Sequence, residues 1–297
     1  MRLERKTVAV GLSGGVDSAV AAWRLQQEGC RVIGLTMSLW DGAEILPEGV
    51  RPGCFGPGEA QRLAATRATA ERLGIELHVI PLAEKFRRTV LTNFRAEYLR
   101  GRTPNPCVWC NHQMKFGMLL EAARGRGIEF DAFATGHYAR TRFDEASGRW
   151  QLLRGRDRGK DQSYFLARLS QEQLALARFP LGELTKAEVR ATARELGWVD
   201  LAERDESQDF LEEGHYGDLV GAEGARPGEM VTRDGRVVGR HRGLPYYTVG
   251  QRKGLGLGGG GAPWYVAALD AARNRVVVGR REELFARRLV AERVNWV

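Results

Sequence analysis

No stretch of the 297-residue chain holds about 18 consecutive apolar residues, so no segment reads as a membrane-spanning helix. The opening "MRLERKTVAV" has no apolar leader region and runs directly into a β-branched stretch, which predicts a cytoplasmic protein. Cysteine is scarce: Cys30, Cys54, Cys107 and Cys110 are the four in the chain. In a cytosolic setting so few thiols do not form a disulfide framework. There is one Cys-x-x-Cys, so a structural zinc site lacks its second pair of ligands. Long repeats are absent, and the sole low-complexity tract is "GLGLGGGGAP". No glutaminase-like segment is evident, which leaves an ammonia-using ligase without a nitrogen source. Positive charge is abundant instead. Lys+Arg number 45 against 37 Asp+Glu, a formal charge of +8. That balance favours a polyanionic partner, with an ordinary basic enzyme as the plain alternative.

Short apolar, β-branched runs alternate with helical stretches through the first two thirds. "KTVAVGL", "RVIGLTM", "ELHVIPL" and "AFATGHY" read as strands, and "GEAQRLAATRATAERLG", "HQMKFGMLLEAARGRG" and "KAEVRATARELG" as helices. This order predicts an α/β domain with a doubly wound parallel sheet over residues 1–209. After about residue 210 glycines become dense and the apolar alternation short, with "RDG" and "AARN" as hairpin turns. Residues 210–297 are therefore expected to form a small β-rich domain. Cys30, at the start of the second strand, is expected in the core.

The stretch "VAVGLSGGVDSAVAAWRL" places glycines, serines and an aspartate between a strand and a helix. Gly14 and Gly15 can adopt positive φ and approach a ligand closely. The following helix offers free N–H groups and a positive dipole end to an anion, and Ser13 and Ser18 add hydroxyl donors. The alternative is a glycine-rich turn capped by Asp17 or Ser18. The Lys of a Walker loop is missing. The motif resembles the PP-loop of enzymes that cleave ATP between its α- and β-phosphates and adenylate a carbonyl oxygen.

Further along, "GRTPNPCVWCNHQMKFG" joins a proline-stiffened loop to Cys-x-x-Cys and a helix. A thiol near a helix N-terminus is expected to have a lowered pKa. "ATGHYAR", "GKDQSYFLARL", "DESQDF" and "YYTVGQRKGLGLGG" followed by "PWYV" mix cations, amides and aromatics. In this order, across residues 10–297, these motifs resemble the tRNA-specific 2-thiouridylase family. The resemblance implies an ATP-dependent tRNA sulfurtransferase. Such enzymes adenylate the position-2 carbonyl oxygen of the wobble uridine and replace it with sulfur from a persulfide or sulfide donor. It implies ATP and Mg2+ as cofactors and tRNA as partner.

Residue by residue, the resemblance implies ATP contacts at Gly11, Leu12, Ser13, Gly14, Gly15, Val16, Asp17 and Ser18, with Met37 beside the adenine and Gly136 lining the nucleotide site. Asp17 would hold the metal–pyrophosphate. Cys110 matches the nucleophilic cysteine. Asn105, Pro106 and Cys107 match the segment at the target base. His137, Lys160, Asp161, Gln162 and Ser163 match tRNA contacts, and Arg252 and Lys253 are candidate phosphate contacts. Met37 and His137 read equally well as core or capping residues.

Three features depart from the family pattern. Leu211 stands where relatives carry a second reactive cysteine, Cys107 stands where they commonly have Asp, and the β-barrel domain that follows "VNW" in relatives is not in this sequence. Three readings stay open. Cys54, Cys107 and Cys110 could ligate a [4Fe–4S] cluster with one open iron. Cys107 and Cys110 could work as a persulfide/disulfide pair without iron. Or the chain could be a non-catalytic or altered-specificity homologue that binds tRNA and ATP.

Overall fold

The computed structural model describes residues 5–204, 210–222, 224, 226–258 and 261–296. The "ESQD" segment lies outside the described residues. The chain runs through β1 (Thr7–Gly11), α1 (Val16–Gln27), β2 (Arg31–Ser38), β3 (Arg51–Pro52), α2 (Glu59–Leu73) and β4 (Leu77–Pro81). A long helical stretch over 83–99 and a second over 106–124 precede β5 (Ala132–Ala134), β6 (Ala139–Asp144), β7 (Arg149–Arg154) and β8 (Ala177–Arg178). A helix over Lys186–Glu195 follows. The main sheet has the order β4-β2-β1-β5-β8, with all pairings parallel. The doubly wound α/β expectation is therefore met. Strand order reverses between β1 and β5, the place where such sheets open a crevice at their carboxyl edge.

The alternation of β1 explains the two covering layers. Val8 and Val10 pack with α1 and the 186–195 helix, while Ala9 faces a second core with Ile33, Leu35 and Phe133. All of these are buried, as a sheet covered on both faces requires. Cys30 sits in the α1-side core, as expected.

The two-residue strand β3 pairs antiparallel with β9 (Leu211–Glu213), and Gly53 N–H donates to Phe210 O at 2.9 Å. Phe210, Leu211, Leu219 and Val220 belong to the core of the parallel sheet. The chain thus leaves that core after residue 220, later than its change of texture at 210. The β-rich body has its own core around Met230, Val266, Val276 and Val278. Its sheet runs β11-β10-β13-β12, built from β10 (Gly228–Val231), β11 (Val237–His241), β12 (Tyr265–Asp270) and β13 (Arg275–Gly279). The turns expected at "RDG" and "AARN" join β10 to β11 and β12 to β13. Among the described residues no helix is long and apolar enough to cross a membrane.

Candidate active site

The loop after β1 sits at the reversal point of the sheet. Gly14 adopts φ +77, and a Cβ there would lie 3.1 Å from the backbone of Ala65 and Thr66. Gly15 does not use positive φ. It is the N-cap of α1 with φ −94, and no side chain caps the helix. Neither Asp17 nor Ser18 acts as the cap, so the first N–H groups of α1 are left for a ligand. Ser18 Oγ donates to Gly15 O (3.0 Å) and lies 3.3 Å from both Ser13 N and Ser13 Oγ. The two hydroxyls thus brace the turn.

Gly136 follows β5. A Cβ at this position would lie 2.7 Å from the carbonyl carbon of Asp17 and 2.8 Å from Ser18 N. Here glycine is required by close backbone approach between the two halves of the crevice. Gly136→Ala is expected to cost ~1–3 kcal/mol of stability through overpacking, read as a lowered Tm, and to displace the phosphate loop. Unchanged stability would mean the loop yields freely.

Met37 lies at the carboxyl end of β2, paired with Ile80 and half-buried. The next turn is fixed by buried Glu59, whose carboxylate accepts from Ser38 Oγ (2.6 Å), Leu39 N (2.5 Å) and Trp40 N (2.9 Å). No sequence motif marks this clamp, since Glu59 and Ser38–Trp40 lie some twenty residues apart.

The Cys-x-x-Cys helix starts where its residue types dictate. Asn105 is the N-cap, its Oδ1 accepting from Val108 N at 3.2 Å, and Pro106 occupies the first turn. Both residues therefore have a structural role in addition to the one implied by the resemblance. The helix does not stop after Cys110. It continues as a π-helical stretch over Asn111–Met118 and then an α-helix to Arg124. Gln173 inserts at this stretch, donating to His112 O (2.9 Å) and Phe116 O (3.0 Å). Five residues along an α-helix differ by about 140° in direction. The i→i+5 winding instead returns Lys115 toward the face of Cys110.

The thiols differ from expectation. Burial pushes the Cys110 thiol up to about 11, with the Lys115 ammonium pulling it down and Cys107 raising it. The lowered pKa expected from a helix N-terminus is not found. Cys110 lies four residues inside the helix, beyond the reach of its first N–H groups. Cys54 is exposed by surface area. Desolvation first, then Cys110 and Cys107, nonetheless push its thiol pKa well up. The three thiols therefore share one neighbourhood. Among the described residues, however, no group of three His, Cys, Asp or Glu is arranged to hold a metal ion. As arranged, the residues do not fit a [4Fe–4S] cluster, and no step is derived through one.

His137 Nδ1 lies 2.7 Å from Thr135 Oγ1, and the ring packs against Phe116 and Phe179. Burial first, then Lys115, hold its pKa well below the usual range, so the imidazole is neutral at working pH. The "KDQS" turn is tied to the same place. Gln162 Oε1 accepts from Tyr138 N (3.0 Å), and Gln162 N donates to Tyr138 O (2.9 Å). Asp161 accepts from Gly155 N (2.9 Å) and Ser163 Oγ (2.9 Å). Lys160 is half-buried next to them. Asn111 Nδ2 donates to Phe165 O at 3.1 Å, which joins this turn to the Cys-x-x-Cys helix. Arg252 and Lys253 are exposed on a turn of the β-rich body. Arg252 lines a recess of about 470 Å³ with Trp264. That turn is a separate element from the phosphate loop and the thiols.

Two residues that sequence reasoning did not single out hold Asp17. Tyr138 OH donates to Asp17 Oδ1 at 2.8 Å, and Lys186 Nζ lies 2.7 Å from the same oxygen. In addition, Arg204 Nη1 donates to Gly14 O at 3.2 Å.

A strand–loop–helix phosphate site at the reversal point of a parallel sheet defines a HUP-type nucleotide-binding protein. The model of the tRNA methyl transferase HUP domain family matches residues 6–212, and that of the tRNA methyl transferase PRC-barrel domain matches residues 219–280. The chain is 48% identical to the tRNA-specific 2-thiouridylase MnmA of Chloroflexus aggregans, over 98% of this chain and 79% of that protein. It is 47% identical to the protein of that name from Geobacter metallireducens (99% and 79%) and 45% identical to that of Endomicrobium trichonymphae (100% and 81%). The chain belongs to the tRNA-specific 2-thiouridylase family.

Proposed function

We propose that the protein is an ATP-dependent tRNA-uridine 2-sulfurtransferase acting in the cytoplasm. The observation that carries this reading is the side-chain-uncapped N-terminus of α1 at the sheet's reversal point. The Cys-x-x-Cys helix is linked to the same edge through Phe116, which packs against Phe133 and His137. The backbone N–H groups of α1, with Ser13 and Ser18, hold the ATP phosphates, and Asp17 takes Mg2+. Magnesium neutralises charge on the departing pyrophosphate.

The target uridine enters beside Cys107, with its O2 toward the α-phosphate. A bond forms between O2 and the α-phosphorus, and the bond to the β-phosphate bridge breaks. The terminal sulfur of a persulfide on Cys110 then attacks C2, and AMP leaves with the former O2. The Cys107 thiolate attacks the Cys110 sulfur, the S–S bond to the product breaks, and 2-thiouridine is released. Cys107 and Cys110 are left as a disulfide, which two electrons from an external dithiol reduce. A sulfane-sulfur donor reloads Cys110.

The proximity of Cys54 to Cys107 and Cys110 favours one second reading, an iron–sulfur cluster formed after rearrangement of these thiols. Anaerobic purification with iron and sulfide analysis separates the two. Stoichiometric iron lost together with thiolation in Cys54→Ser supports the cluster. An iron-free active protein, nearly indifferent to Cys54→Ser, supports the persulfide. Incubation with ATP, tRNA and a sulfur donor tests the function itself, with AMP and a thiolated nucleoside expected. Neither product would leave a non-catalytic tRNA- and ATP-binding homologue.

tRNA affinity is expected to fall steeply with salt, each neutralised phosphate contributing about 0.7–0.9 to the log–log slope on the DNA-derived scale. The Arg252→Ala/Lys253→Ala double variant should flatten that slope. A slope near zero in the parent protein would remove the electrostatic argument.

A further inference from the structure

We infer that Lys186 and Tyr138 are positioning residues for magnesium-bound ATP: together they hold Asp17 through one carboxylate oxygen and leave the other for the cation. This rests on the ATP reading above.

Both contacts to Asp17 converge on Oδ1, from Lys186 Nζ at 2.7 Å and Tyr138 OH at 2.8 Å. Among the described residues Oδ2 accepts no hydrogen bond, while the Asp17 side chain is 28% exposed. Among the described residues, one oxygen is thus fixed and its twin left open. Magnesium suits this arrangement, since it is commonly bound by one or two carboxylates together with substrate phosphates and water.

The location of Lys186 argues for a specific purpose. It opens the Lys186–Glu195 helix, whose cap is Thr185. A cation in the first turn opposes the helix dipole. The ammonium is also costly to bury, with its side chain 10% exposed. A buried ion pair contributes little net stability against an apolar replacement. The pair with Asp17 therefore adds little through net stability. It supplies orientation, because it fixes the angle at which Asp17 meets the loop.

Tyr138 is equally constrained. It is 2% exposed, and its backbone N and O are clamped by Gln162. The Lys186 ammonium lies 6.0 Å from the centre of its ring. Gly136, two residues earlier, permits the approach of this turn to Asp17. Three separate elements therefore meet on one carboxylate: α1, the turn after β5 and the helix beginning at Lys186.

The test is calorimetric titration of an ATP analogue with a methylene between its α- and β-phosphorus, at a series of Mg2+ concentrations. Parent, Tyr138→Phe and Lys186→Met proteins are compared, with Tm and circular dichroism recorded for each. In both variants the Mg2+ concentration for half-maximal nucleotide binding should rise, by about tenfold or more in Lys186→Met, the usual cost of losing a residue that orients a metal ligand. Binding without Mg2+ should change much less. A purely structural role would lower Tm and leave the Mg2+ midpoint unmoved, which overturns the inference. If Lys186→Met does not fold, Tyr138→Phe decides alone, since it removes one hydroxyl and keeps the ring. A parent protein that binds no nucleotide at any Mg2+ concentration overturns the ATP reading, and this inference with it.

Discussion

Cys110→Ser should abolish 2-thiouridine formation, by on the order of 10³-fold or more, as expected for loss of a covalent nucleophile. AMP release should survive, because adenylation precedes sulfur transfer and uses the loop after β1. Liquid chromatography of digested tRNA, with AMP assayed in parallel, separates the two steps. Comparable losses of both would place Cys110 in nucleotide binding instead. The buried thiol adds a pH signature. With its pKa pushed to about 11, the thiolate is a small fraction at neutral pH. Where loading of Cys110 limits the rate, that rate should climb by about tenfold per pH unit from 7 to 9, following the thiolate. Lys115→Met should depress the rate across that range. Stability moves the other way. The folded protein holds this proton more tightly than the unfolded chain does, so the contribution is present below the ordinary value of 9.0 and fades as pH rises through about 11. Cys107→Ser should halt turnover after loading, Cys54→Ser should be nearly silent, and Cys30→Ser should affect stability alone, by placing a hydroxyl in the core.

Asp17→Ala is the second large effect. Adenylation should fall by on the order of 10²-fold or more, since the group that takes the cation is gone. AMP release with saturating tRNA is the measurement, and a wild-type rate would refute the phosphate assignment. The sequence alone suggests that this variant keeps its fold, because Asp17 lies in a turn. The structure says otherwise. Removing Asp17 takes away one partner of the buried Lys186 ammonium, a change that costs up to ~3–5 kcal/mol for fully buried pairs and less here, where Asp17 is partly exposed. The assay therefore has to run below the lowered Tm. Ser13→Ala removes a hydroxyl proposed to hold the ATP phosphates together with a brace of the turn, and should weaken adenylation without that penalty.

The parts of the site encoded locally were legible in the sequence. A strand, a glycine turn and a helix in succession are a property of a few adjacent residues, and the loop after β1 folds as its text suggests. Asn105 and Pro106 announce a helix start for the same reason. The helical stretch over 83–99 is not among the helices the sequence reading names, although Phe86, Val90, Phe94 and Tyr98 recur every four residues and are all buried. β8, only two residues long, had no periodicity to read. What could not be read were meetings across the fold. Lys186, Tyr138 and Asp17 share no motif and come together only when three elements pack. The Cys110 thiol was misjudged because proximity to a helix start is visible in sequence, whereas burial and the winding after Cys110 are not.

The pairing of β3 with β9 has a consequence in the order of assembly. It joins residues 51–52 to residues 211–213, and the loop it closes takes in β4, β5 and β8 of the parallel sheet. Contacts of such long range cost loop entropy before they return any energy, and they form late. A recess lined by Gly53 and Phe55, the chain neighbours of Cys54, with Arg62, Glu212 and Glu213, draws on both ends of that loop. The Lys186–Asp17 contact of the nucleotide crevice spans 169 residues and is of the same long range, so recess and crevice both take their final shape late.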